Sequence, residues 1–315
     1  MAKAKLTAEE REKNRKSLRK QIYRHRLLYL FILPCVVWLI TFAYIPMGGI
    51  VLAFKNYKYN LGIYRSPWAG LKWFDKFIND PEFWKVIKNT LRITLLKLVC
   101  CFPAPIILAL LLNEVRNAKF KRVVQTVSYL PNFVSWVVVI MLIRALLTPY
   151  GGLLNNIRKN MGLSTEFFMG KESWFLPLVI LSDLWKNVGW GSIIYLAAIT
   201  GVDQELYEAA AIDGAGHRQQ VWHITLPGIM QTIGIMFIMN MGGLLNAGYD
   251  QILLLQQPGN MRLSQVLDTY ILQTGLNYGK FEYATAIGLF KSIFSLIMVC
   301  TTNYLAQKYA EVGLW

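Results

Sequence analysis

The sequence predicts an all-α fold, a polytopic membrane bundle of six transmembrane helices with a short helical connector outside the membrane. Three observations carry this. Of 315 residues, 55% are apolar and only 16% are charged. The apolar residues gather in blocks of roughly 20 to 25, the length a helix rising about 1.5 Å per residue needs to cross about 30 Å of hydrocarbon. The basic residues behind the net charge of +15 collect at the chain start and in segments between the blocks.

Residues 1–26 hold ten Lys and Arg, too many for the short basic start of a cleaved signal, and the apolar run that follows is longer than a signal core. They read as a basic cytoplasmic tail ahead of a retained first span, 27–51, which contains Pro34 and Pro46. Residues 55–88, polar with Trp68, Trp73 and Trp84, read as an extracytoplasmic loop with interfacial anchors. The second span is expected over 89–112, the third over 123–147 and the fourth over 174–199. The fifth is expected over 228–255 and the sixth over 283–305, completing a membrane domain over 27–306 with a tail at 307–315. The tail before Leu27 and the turn at 116–122 are the densest basic segments, so both are expected in the cytoplasm, and six crossings return both termini there. The loop 55–88 departs from that charge rule, with seven Lys and Arg.

Between the fourth and fifth spans, 200–227 is polar and helical in pattern. Asp203 is a plausible N-cap, Glu205 sits where the helix dipole favours an acid, three alanines favour helix, and Gly214 can end it. Val221, Trp222 and Ile224 follow on a second turn before Leu226 and Pro227. Composition alone makes this an amphipathic connector. The spacing is more specific: Glu208-Ala209-Ala210, Gly214 six residues after the glutamate, then Ile224, Leu226 and Pro227.

That pattern resembles the EAA motif of binding-protein-dependent ABC import permeases. The resemblance extends along the chain. Asp80-Pro81-Glu82-Phe83, Asn113-Glu114-Val115-Arg116 and Ser128-Tyr129-Leu130-Pro131 are similar to carbohydrate permeases related to maltose MalF. Gly248-Tyr249-Asp250-Gln251, residues 283–290 and Gly313-Leu314-Trp315 look like the LplB-type oligosaccharide permeases within that group. The chain departs from MalF in lacking a large periplasmic insertion and extra N-terminal spans, and Val221 stands where an aromatic is common.

The resemblance implies a type I ABC importer permease fold in a bacterial cytoplasmic membrane, with no catalytic residue and no cofactor of its own. Mg-ATP would be hydrolysed by a cytoplasmic ABC ATPase dimer docking on Glu208, Ala209, Ala210, Asp213, Gly214, Ile224, Leu226 and Pro227. A second, different permease and an extracytoplasmic solute-binding protein that delivers an oligosaccharide complete the implied assembly. The same resemblance directs attention to the fourth and fifth spans for substrate contacts, hence Asn187, Trp190, Asn246, Tyr249 and Asp250.

Physical chemistry alone leaves those residues with two readings. Polar groups inside a bundle are functional candidates, among them Arg144, Lys186, Asn187, Asn240, Asn246, Asp250 and Lys291, yet they can equally pair with one another or reach the membrane surface. Trp185, Trp190, Tyr195 and Tyr249 can cover sugar rings or serve as packing and interface anchors. A different class, an ion-coupled secondary transporter using Asp250 or Lys186, needs inverted repeats, and none is evident. His217 and His223 share no helical face and have no completing ligands for a metal. The pairs Gly170-Lys171 and Gly279-Lys280 lack the rest of a phosphate-binding loop. The basic residues belong to no nucleic-acid-binding motif and suit contact with anionic membrane lipid instead.

Overall fold

The computed structural model describes residues 23–314, and the expected basic tail lies outside the described residues up to position 22, as does Trp315. The regular structure of the described chain is helical apart from an isolated bridge between Lys55 and Trp68. Three helices are long and apolar enough to cross a membrane, and five segments qualify if each sharply bent helix pair is one span.

Helix α1, Arg26–Phe54, is the first of the three. It stays continuous through Pro34 and loosens near Pro46, because proline removes an amide donor and crowds the preceding turn. Its side chains from Arg26 to Met47 are exposed, so lipid or another subunit must cover them. Helix α2, Lys72–Ile78, follows inside the segment expected as loop.

Helix α3, Pro81–Glu114, begins eight residues before the expected start of the second span. The reason is local. The Asp80 carboxylate accepts the amide of Glu82 at 2.9 Å, Pro81 takes the first helical position and Glu82 the first turn. The other Asp80 oxygen accepts the hydroxyls of Tyr283 at 3.0 Å and Tyr270 at 3.3 Å, pinning the start of α3 to the last helix. A break at Cys101–Phe102 precedes Pro103.

The segment expected as the third span is not one helix. Helix α4, Ala118–Phe133, capped by the Asn117 side chain, turns through 102° into α5, Trp136–Leu147, capped by Ser135. Such a break strands backbone carbonyls, which is costly away from water. Lys186 fills it, donating to the carbonyls of Asn132 at 2.7 Å, Val134 at 2.6 Å and Pro131 at 3.4 Å. The short helix α6, Leu153–Asn160, leads to α7, Glu172–Thr200. At 29 residues α7 is about 43 Å long by its rise, enough to span, although it carries Asp183 and Lys186.

Helix α8, Gln204–Ile212, and helix α9, His217–Gly228, form the connector, and α9 bends by 58° into α10, Met230–Gly242. The fifth span expected over 228–255 is therefore not one helix: it stops at Gly242, runs without helix to Gly248 at a φ of +89°, and resumes as α11, Tyr249–Leu255. Helix α12, Leu267–Leu272, precedes α13, Phe281–Ala310, where Lys291 forms an ion pair with Asp268.

Three apolar clusters hold these elements. Phe77, Phe83, Val86 and Leu267 pack with Tyr283 and Ile287 of α13. Ile93, Ile140, Phe175, Val179 and Ile252 form the second, and Ile106, Ala109, Tyr195, Ile199 and Ile229 the third. Phe175 and Tyr195 are 20 residues apart on α7, about 30 Å, so the second and third clusters lie toward opposite ends of that helix. Between them the bundle is polar.

Candidate functional site

The polar middle begins with helical spacing. Asp183, Asn187, Gly191 and Tyr195 recur every four residues on α7 and so share one stripe, as Lys97, Cys101 and Pro105 do on and just after the first half of α3. These stripes face Met236 and Asn240 of α10 and the break at Gly243, Leu244 and Asn246, enclosing a cavity of about 360 Å³. Gly191 permits the approach of α7 to α3, since a Cβ there would lie 3.0 Å from the Pro105 ring.

One ammonium organises the cavity wall. Lys97 Nζ lies 3.2 Å from Asp183 Oδ1 and donates to the Ala247 carbonyl at 3.0 Å and to Gln251 Oε1 at 2.6 Å. It thereby ties α3 to α7 and to the non-helical break. Gln251, fully buried, donates from Nε2 to the Val179 carbonyl at 2.7 Å and to Ser182 Oγ at 2.8 Å. Asn187 donates to Asp183 at 3.2 Å and accepts from Asn132 at 3.3 Å. The charges are paired, and Asn187, Asn240 and Asn246 add amides to the same lining. Such a wall can exchange hydrogen bonds with a hydroxyl-rich molecule without presenting it a bare charge.

Of the five sequence-chosen pathway residues, Asn187 and Asn246 line this cavity. Trp190 is half-exposed on another side of α7, edge-on to Phe133 at 5.5 Å. Tyr249 lines a separate groove beside Asp268 and Leu272, and Asp250 is exposed in the first turn of α11. Lys97, Asp183, Asn132 and Gln251 were not singled out by the sequence, although a lysine and an aspartate within apolar blocks are the signal that finds such sites. Lys186, a candidate coupling group for an ion-driven carrier, is engaged by the three carbonyls of the α4–α5 break.

The connector is a second polar site at the far end of α7. Asp203 caps α8 by accepting the Glu205 amide at 3.0 Å, and Gly214 leaves the helix at a φ of +79°. Tyr207 bonds to buried Thr225 at 2.9 Å, and Gln220 donates to the Ala215 carbonyl at 3.2 Å, closing α8 against α9. With Tyr207 turned inward, Glu205, Glu208, Ala209 and Ile212 face outward at positions i, i+3, i+4 and i+7, all exposed. Glu208 has no hydrogen-bonding or ionic partner among the described residues. Ile212 is 87% exposed and Trp222 67%, so the outer surface of the connector carries two exposed apolar side chains as well as a free carboxylate.

Asp213, just past α8, and Pro227, near the end of α9, are exposed, Ala210 and Leu226 are half-buried, and Ile224 lines a small recess with Ala210 and His223. His217 lies 3.4 Å from both Glu114 and Arg116, so the connector sits at the same end of the bundle as the basic turn following α3.

Comparison with known proteins bears on both sites. A family model described as binding-protein-dependent transport system inner membrane component matches residues 102–311. The chain is 46% identical over 305 residues to the polygalacturonan/rhamnogalacturonan transport system permease protein YteP of Bacillus subtilis (strain 168), covering 97% of this chain and 95% of that one. It is 41% identical over 292 residues to protein LplB of the same organism, covering 93% and 92%. Its fold is similar to a chain from the crystal structure of a bacterial ABC transporter involved in importing the acidic polysaccharide alginate, with a TM-score of 0.84, 38% identity and coverage of 93% and 99%. A crystal structure of a bacterial alginate ABC transporter in complex with an alginate pentasaccharide-bound periplasmic protein matches at 0.84 and 37%, covering 94% and 99%.

Proposed function

This chain belongs to the inner membrane components of binding-protein-dependent transport systems, and from that premise we propose which surfaces couple it to ATP and what it carries. It is a multi-pass permease subunit of an ABC importer. In the proposal the chain crosses the membrane six times with both termini in the cytoplasm, and the cargo is an oligosaccharide bearing carboxylates. YteP and the alginate importer, both similar over nearly their full length, are named for polymers of that kind. Seven Lys and Arg in 55–88 give the extracytoplasmic side of this reading an attraction for acidic sugars.

The observation that carries the coupling role is the outward stripe of α8, with unpaired Glu208 beside exposed Ala209 and Ile212. A carboxylate flanked by small and apolar side chains suits a cleft that offers an arginine fork and an apolar floor. Its partner is a cytoplasmic ABC ATPase dimer holding Mg-ATP. ATP binding would favour one bundle state through differential contacts at this bracket, opening the cavity toward one side or the other. A second, different permease completes the path, and an extracytoplasmic solute-binding protein delivers the sugar.

Replacing Glu208 by Lys should abolish co-purification with the ATPase and uptake while leaving membrane insertion intact. Gly214→Ala tests the turn separately. A Cβ there meets open space, so its cost is the left-handed backbone alone, about 1–2 kcal/mol. Normal assembly and import by the Glu208→Lys complex would remove the coupling role.

A further inference from the structure

The helix α6 is built inside out. At 100° per residue Leu153, Leu154, Ile157 and Met161, just past the helix end, fall within about one quadrant, and Asn155 lies on the opposite side. In a helix packed by a water-facing protein the apolar quadrant would turn inward. Here Asn155 is 1% exposed, while Leu153 is 59% exposed and Met161 72%.

Four hydrogen bonds fix that orientation. Asn155 Nδ2 donates to the carbonyls of Leu147 at 3.3 Å, Thr148 at 2.9 Å and Glu166 at 3.0 Å, and its Oδ1 accepts the Glu166 amide at 2.8 Å. The turn between α5 and α6 is tight, since a Cβ on Gly152 would sit 2.3 Å from the Thr148 carbonyl oxygen. The last carbonyls of α5 are thus satisfied by a side chain rather than left for water, as the end of a span at the edge of hydrocarbon requires.

We propose that α6 lies in the polar–apolar boundary of the bilayer, on the side away from the connector, with phospholipid acyl chains covering Leu153, Ile157 and Met161. Continuity with α5 identifies the occupant. Met141, Leu142 and Leu146 on α5 are exposed apolar side chains of a segment that, taken with α4, is long and apolar enough to cross a membrane, and α6 is fastened directly to the end of α5. Leu163, just past α6, is also exposed and apolar. A helix with an apolar outward face at the end of a span is the form an interfacial helix takes. Asn155 makes it a rigid float, fixing the height at which α5 ends in the membrane.

The test places a benzophenone amino acid at Ile157, Met161, Lys159 or Leu146 in the full importer complex, held in nanodiscs of phosphatidylethanolamine and phosphatidylglycerol. After irradiation the adducts are read by intact-protein mass. Phospholipid adducts at Ile157 and Met161, at a yield near that of Leu146 and several-fold above Lys159, are the expected result. Attachment of Ile157 to another protein subunit, or no lipid adduct there while Leu146 is labelled, overturns the proposal. The inference rests on membrane residence alone, so the outcome is independent of the cargo and of the coupling role of Glu208.

Discussion

Removing the Lys97 ammonium should damage the bundle through the charge it leaves behind more than through the bonds it takes away. In Lys97→Met the Asp183 carboxylate keeps the Asn187 amide and the Cys101 thiol but no cation, while the Ala247 carbonyl and Gln251 Oε1 lose their donor. Breaking one side of a buried ion pair costs about 3–5 kcal/mol. The two side chains are 16% and 15% exposed, and this residual solvation lowers the expectation to about 2–4 kcal/mol. In Lys97→Met/Asp183→Asn the orphan charge is gone and the Asn187 bond is retained, leaving two unsatisfied acceptors, about 1–3 kcal/mol each when buried, that the single variant leaves as well. The double variant should therefore be the more stable of the two by the share of the loss that the orphan charge causes. Unfolding by SDS titration in mixed micelles measures both. Equal midpoints would show that Asp183 is not held as a charge, and the electrostatic account of the cavity wall would fail.

Gly189→Ala should destabilise the contact between α4 and α7 by about 1–3 kcal/mol or more, because a Cβ would meet the Ser128 carbonyl oxygen at 2.0 Å. Gly288→Ala, inside α13 with nothing within 4 Å of the added atom, should be neutral to stabilising by up to about 1 kcal/mol in the same titration. The hydrogen bond from Lys171 holds the Glu166 carboxyl below the usual carboxylate range, aided by the charges of Lys171 and Arg158. A depressed folded value means that this contribution is complete above the unfolded carboxylate value of about 4.3 and is lost as pH falls through the folded one. Amide exchange in 148–171 should thus accelerate, after correction for intrinsic rates, on acidification below about pH 4. Glu166→Gln should show the faster exchange already at neutral pH and lose the pH response.

Much of the local structure was legible. Asp203, Glu205 and Gly214 mark the start and end of α8 because capping and left-handed turns depend on a few adjacent residues. The Asp80-Pro81-Glu82 start of α3 was equally local, yet hydropathy blocks placed the span at 89–112, since averaging over a window dilutes a polar first turn. Pro131 and Ser135 likewise announced the break between α4 and α5, and Gly242, Gly243 and Gly248 the end of α10. Reading each apolar block as one straight span hid both breaks. The polar centre was harder: Lys97 and Asp183 stand 86 positions apart, and Gln251 a further 68 along the chain.

The sequence by itself determined that this is a helical membrane protein with a capped connector of EAA spacing, because apolar length, caps and turns are set by neighbours along the chain. The tertiary structure decided which stripes face the cavity. Asn187 and Asn246 turn into it while Trp190, Tyr249 and Asp250 turn elsewhere. It also decided that Lys186 closes a broken helix and that α6 presents its apolar side outward. Helical periodicity says which side chains share a face. Which face is covered, and by what, depends on the elements packed against it.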